Sequence, residues 1–164
     1  MIETLQLATD LGAALSARGW KAATAESCTG GLVAGAITDI AGSSEWFDRG
    51  FVTYSNEAKV DLLGVRPETL ARFGAVSEAV AREMVAGALE RSEADIAVAV
   101  TGIAGPAGGS PDKPVGLVWL AWATRGGRTE AASHRFPGDR AAVREASVAA
   151  ALLGLRERLD VPNS

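Results

Sequence analysis

Cysteine and histidine occur once each, as Cys28 and His134, in a chain of 164 residues. A single thiol excludes an intramolecular disulfide and any zinc cluster built from cysteines. A single imidazole leaves little for a histidine-rich metal site. It also leaves any catalytic serine only one histidine to use as a base. An excess of positive charge is missing too. Sixteen basic side chains against 20 acidic ones give a formal charge of −4, which provides no electrostatic footprint for nucleic acid or an anionic membrane. No apolar run approaches the roughly 20 residues of a membrane-spanning helix. The opening MIETLQLATDLG carries acids and lacks the basic-then-apolar layout of a signal peptide, so a cytoplasmic protein is expected.

What remains is ordinary globular material. Apolar residues make up 48% and charged residues 22%, enough for one domain over 1–164 with a real core. Glycine is abundant, at 19 residues, which suits tight turns and close backbone approaches.

Periodicity divides the chain into alternating elements. Leu5, Ala8, Leu11 and Leu15 share one face of a helix over 3–18, stopped by Gly19. Trp20 to Ala25 reads as a short strand running into Thr24-Ala-Glu-Ser-Cys-Thr-Gly-Gly31. From Thr29 a helical period resumes through Leu32, Val33, Ala36, Ile37 and Ile40, ending near Gly42. Gly50 to Tyr54 reads as a second strand, with Asn56 as N-cap of a helix through Leu63. Pro67 opens another helix with Leu70 and Phe73 facing inward. Ser77 caps a longer one carrying Val80, Met84, Ala88 and Leu89. The continuous run Asp95 to Val100 suits a strand buried on both faces. Val115 to Thr124 and Thr129 to Phe136 read as two strands joined at Arg-Gly-Gly. Asp139-Arg140 leads into a last helix with Val148, Leu152, Leu155 and Leu159 on its buried face. Interleaved helices and strands predict a single three-layer α/β/α domain with a mixed, mostly parallel sheet.

Three loops rich in small polar residues, 26–31, 54–59 and 101–113, follow strands and can therefore share one sheet edge, where ligands of open α/β sheets collect. In the first, Ser27 is either a nucleophile or a helix cap; Cys28 is the rival thiol. Thr29, Gly30 and Gly31 at a helix start offer backbone N–H groups to an oxyanion. With His134 read as structural, a serine–lysine pair is the remaining standard arrangement, and Lys59 supplies it. Placed in a first helical turn, its ammonium meets the positive helix end, which lowers its pKa, and partial burial adds to that. Tyr54 is a relay or a lining residue. Thr101, Gly102 and Gly105 belong to a loop able to lie close to an anion, with Lys113-Pro114 closing it. Arg140, beside a helix start, suits a phosphate. No metal or other cofactor is required by these groups. Trp119 and Trp122, near a possible edge strand, suggest a homodimer, with one of the two in the core.

Taken in order, TAESCTGG, ITDIAGSSEWFDRGFVTYSNEAK, GAVSEAVA, VAVTGIAGPAGG, KPVGLVW and FPGDR resemble the CinA C-terminal domain family along nearly the whole chain. The chain looks like that domain standing alone, without the molybdopterin-binding-like domain of two-domain members. The resemblance implies hydrolysis of nicotinamide mononucleotide to nicotinic acid mononucleotide and ammonia, in pyridine nucleotide recycling. It puts the family's serine on Ser27 and the YSNEAK segment on Tyr54 to Lys59. The competing expectation is a nucleotide-binding, regulatory module without catalysis.

Overall fold

The computed structural model describes residues 2–160. Helix α1 (Ile2–Arg18) leads to strand β1 (Ala22–Glu26), helix α2 (Leu32–Thr38) and, after a 3-10 turn at Ser43–Glu45, strand β2 (Phe47–Val52). Helices α3 (Asn56–Leu63), α4 (Pro67–Phe73) and α5 (Glu78–Glu90) then cross to strand β3 (Ile96–Gly102). Strands β4 (Leu117–Thr124) and β5 (Thr129–Arg135) follow, and helix α6 (Arg140–Leu159) closes the chain. The sheet order is β2-β1-β3-β4-β5. β1 pairs parallel with β2 and β3, whereas β4 runs antiparallel to both β3 and β5. Only β4 opposes the common direction, so the sheet is mixed and mostly parallel.

Alternation along the strands builds two unlike cores. Ile96, Val98 and Val100 of β3 join Val118, Leu120 and Trp122 of β4 beneath α1, α2 and α6. Their neighbours Ala97, Ala99, Ala121 and Ala123, with Ala23 and Ala25 of β1, face α5 and the end of α3. On that face the fully buried strand positions are alanines, Phe51 of β2 and Trp119 of β4 pack at its margin, and Val80, Met84, Val85 and Leu89 of α5 provide the central bulk. The chain passes from β1 outward to β2 and then back across β1 to β3. Right-handed crossovers in opposite directions put their helices on opposite faces, which opens a crevice at the carboxyl end of β1.

Several element readings change: β1 begins at Ala22 and not Trp20, β4 at Leu117 and not Val115, and α2 ends at Thr38, short of Gly42. Gly30 and Gly31 both hold positive φ, 57° and 106°, so α2 starts only at Leu32. β2 begins at Phe47, earlier than expected, because Asp48 and Arg49 on an edge strand carry no apolar signal, and Tyr54 falls beyond its end. The N-cap of α3 is Ser55, whose hydroxyl accepts the Ala58 N–H at 3.0 Å; Asn56 is the first helical residue. Phe73 is 44% exposed, under the Arg72 guanidinium, because α4 is a short surface helix. The tryptophans change meaning as well. β4 is an interior strand, Trp122 is buried, and Trp119 packs against the opposite core. They offer no support for a dimer.

Candidate active site

A pocket of about 300 Å³ lies at the carboxyl ends of β1, β2 and β3. Ser27 and Cys28 enter it from the first loop, Tyr54, Asn56 and Lys59 from the second, and residues 101–108 from the third, apart from Pro106. Ala75, Val76 and Arg140 complete the wall. The three small-residue loops therefore do share one edge. A larger groove of about 430 Å³ between α1, α2 and α6 includes Gly31 but none of the other expected site residues.

Ser27 is the residue after β1, and its N–H donates to Val100 O of β3 at 3.0 Å, which ties it to the sheet. Lys59 is 1% exposed on α3, and its Nζ lies 2.9 Å from Ser27 Oγ. The same nitrogen reaches Thr53 O at 2.9 Å, Tyr54 O at 3.4 Å and Ser55 O at 3.5 Å. No carboxylate pairs with it among the described residues. Burial pushes its pKa below the usual lysine value, and the neighbouring Cys28 opposes this. The cause differs in emphasis from the helix-end argument. Burial is the leading cause. A neutral amine has two N–H donors and one lone pair. Here Lys59 Nζ donates to Ser27 Oγ and to the surrounding carbonyls; in the neutral form its lone pair can instead accept the Ser27 hydroxyl proton.

Thr29, Gly30 and Gly31 do not line this pocket. Glu26, the last residue of β1, is buried, and its carboxylate accepts from Thr29 Oγ1 at 2.6 Å and from the N–H groups of Gly31, Val33 and Ala34 at 3.2, 2.9 and 3.0 Å. Gly30 N–H donates to Ser27 O at 3.0 Å. The Gly30 and Gly31 amides expected to hold an oxyanion are thus engaged in the turn itself, and the two glycines provide the positive φ that the turn needs. Sequence reasoning missed Glu26. Its signal was a carboxylate close ahead of a helix whose N-cap, Gly31, has no capping side chain.

Arg140 reaches into the pocket wall. Its Nη1 donates to Gly105 O at 2.9 Å and its Nη2 to Tyr54 Oη at 2.8 Å. Tyr54 is 60% exposed, and its hydroxyl faces Arg140. Thr101 Oγ1 donates to Ala75 O at 2.9 Å, and Lys113 Nζ to Phe73 O, so the third loop is fastened to the α4–α5 connection. Gly102 is required by packing, since a Cβ there would lie 2.6 Å from Val118. Burial raises the Cys28 thiol to about 11, which keeps it protonated and unreactive at neutral pH. His134 is exposed on β5, stacked on Phe136 at 5.0 Å, outside the pocket. A second missed residue is Arg144, one turn beyond Arg140 on α6, whose Nε donates to Cys28 O at 3.1 Å. Among the described residues there is no group of three or more histidine, cysteine, aspartate or glutamate side chains able to hold a metal, and no helix is long and apolar enough to cross a membrane.

The model of the CinA C-terminal domain matches residues 4–159. The chain is 59% identical over 153 residues to nicotinamide-nucleotide amidohydrolase PncC of Enterobacter agglomerans, an alignment covering 93% of each. It is 60% identical over 150 residues to the PncC protein of Escherichia coli K12, covering 92% of this chain and 91% of that one. Among solved structures, the competence/damage inducible protein CihA from Agrobacterium tumefaciens superposes with a TM-score of 0.94 at 52% identity, covering 97% of this chain and 96% of that one.

Proposed function

The chain belongs to the CinA C-terminal domain family, and from that premise we propose that it is a serine amidohydrolase that deamidates nicotinamide mononucleotide. The observation that carries this reading is the 2.9 Å approach of a buried lysine amine to Ser27 Oγ inside the pocket. Similarity to the two PncC relatives supports the substrate; the geometry supports the route.

Lys59, neutral, takes the Ser27 proton as Oγ attacks the carboxamide carbon. The oxyanion is held by pocket-lining backbone N–H groups, for which the Cys28 amide and the small-residue stretch 104–108 are the sources. Collapse breaks the C–N bond, and Lys59 returns its proton to the leaving group, which departs as ammonia. Water then attacks the Ser27 ester with Lys59 again as base. This releases the acid and restores the hydroxyl. Arg140 still has N–H groups beyond those given to Gly105 and Tyr54, and these suit the substrate phosphate. Tyr54 lines the mouth of the pocket.

The test is ammonia release from nicotinamide mononucleotide by the purified protein and by Ser27→Ala, both with a chelator present. Release by the wild type alone is expected. Equal release by Ser27→Ala would remove Ser27 from the nucleophile role. Binding without release by either protein would replace the enzyme with a nucleotide-binding module.

A further inference from the structure

We propose that Glu26 and Arg144 form a two-sided clamp on the Ser27–Gly31 turn and act as positioning residues for the nucleophile. This rests on the amidohydrolase reading above.

The turn has few side chains of its own to hold it. Two of its five residues are glycines in the left-handed region, and α2 has no side-chain N-cap. Such a segment has high conformational freedom unless its backbone groups are bound from outside. Glu26 binds the N–H side. It is buried, and each of its four partners is a donor: one hydroxyl and three amides at the start of α2. Arg144 binds the C=O side from α6, across the sheet edge. Its Nε donates to Cys28 O at 3.1 Å and its Nη2 approaches Thr29 O at 3.5 Å. The guanidinium also closes over Gly30, where a Cβ would stand 3.3 Å from Nη2. Neither side chain lines the pocket, so neither touches substrate.

The clamp is built of opposite charges on opposite sides of one chain segment. Charge-assisted hydrogen bonds are the stronger class, and positioning groups of this kind act by narrowing the range of nucleophile orientations. The Ser27 Oγ to Lys59 Nζ contact joins the turn after β1 to α3; the Ser27 N–H bond to Val100 O holds one side of that residue, and the fixed turn holds the other. Glu26→Gln replaces one acceptor oxygen with an NH₂ group that confronts N–H donors. Arg144→Met keeps length and removes every donor.

The experiment uses the full chain as wild type, Glu26→Gln, Arg144→Met and the double variant. It measures kcat and KM for nicotinamide mononucleotide, urea unfolding, and the rate constant for Ser27 labelling by a fluorophosphonate. For each single variant, kcat is expected to fall roughly 10- to 100-fold with KM within about twofold. Labelling slows in parallel, and the double variant loses less than the product of the two singles because both act on one turn. A purely structural defect lowers the fraction labelled and leaves the rate constant of the folded fraction unchanged. That result, or a kcat within about threefold of wild type in folded variants, overturns the clamp. If Glu26→Gln fails to fold, Arg144→Met carries the test by itself, since its side chain is only partly buried. If the wild type releases no ammonia yet labels at Ser27, the substrate reading fails, and labelling rates alone decide the clamp.

Discussion

Lys59 is a lysine placed where its charge is disfavoured: buried, ringed by carbonyls, and without a carboxylate partner among the described residues. Its folded-state pKa is lowered by burial from 10.5. Below that lowered value the ammonium is protonated in both folded and unfolded chains, and the full cost of burying it is present. Between the lowered value and 10.5 the unfolded chain binds the extra proton, so stability rises with pH through that window. Activity follows the same titration, because only the neutral amine accepts the Ser27 proton. We therefore expect kcat to increase with pH, with an apparent pKa below that of free lysine. Lys59→Met should lose turnover by at least about 100-fold, in line with removal of a general base, and keep its fold. Its stability advantage over wild type should shrink as pH rises toward 10.5. Paired urea titrations across pH check this, and a constant difference would show that Lys59 is charged throughout. The residue types at this site were readable from the chain: Ser27 and Lys59 were selected by eliminating His134. Glu26 and Arg144 were not readable, because their partners are backbone groups that only folding brings within reach.

Among the elements, α6 is tied to the sheet at Trp122 and by the Arg158–Glu130 ion pair. Trp122 Nε1 donates to Ala151 O at 3.1 Å, and Arg158 lies 4.1 Å above the indole. The ring fits because Gly154 has no side chain, and a Cβ there would approach the indole to 2.1 Å. Two effects oppose each other in Gly154→Ala. Helix propensity favours alanine by about 1 kcal/mol. Overpacking against a buried ring costs about 1–3 kcal/mol and needs movement of the indole. We expect net destabilisation, seen as a lower urea midpoint, and a stabilised variant would mean the ring shifts freely. Because Arg140 and Arg144 ride on the same helix, the packing of α6 also sets the position of two groups at the site. The periodicity of α6 was plain in the sequence; the pairing of Gly154 with Trp122 was not, since it joins positions on different elements.

Across the whole molecule, the sheet separates a face whose centre is branched and aromatic from a face whose buried strand positions are alanines. The alanine face is a packing requirement. Ala99→Val gains at most about 1 kcal/mol of strand preference, against about 1–3 kcal/mol for inserting two methyl groups beneath α5. Val98→Ala on the opposite face loses buried apolar surface and leaves a cavity. Both should lower the unfolding midpoint in urea, for opposite reasons. An unaffected Ala99→Val would mean that α5 is loosely seated.

Local pattern in the sequence was sufficient for the order and type of nearly every element, the three-layer class, and the gathering of three loops at one sheet edge. Periodicity and turn chemistry act over a few residues, and the chain carries both directly. The exact starts of α2 and β2, the packing of Trp119 and Trp122 on opposite faces, and the turning of the Gly31 amide toward Glu26 were decided by tertiary structure. Each of these depends on a partner distant in the fold or on competition between donors for one acceptor. The 2.9 Å contact between Ser27 and Lys59, 32 positions apart, is of the same kind. Sequence supplied the two side chains, and the crossover from β1 through β2 to β3 put them together.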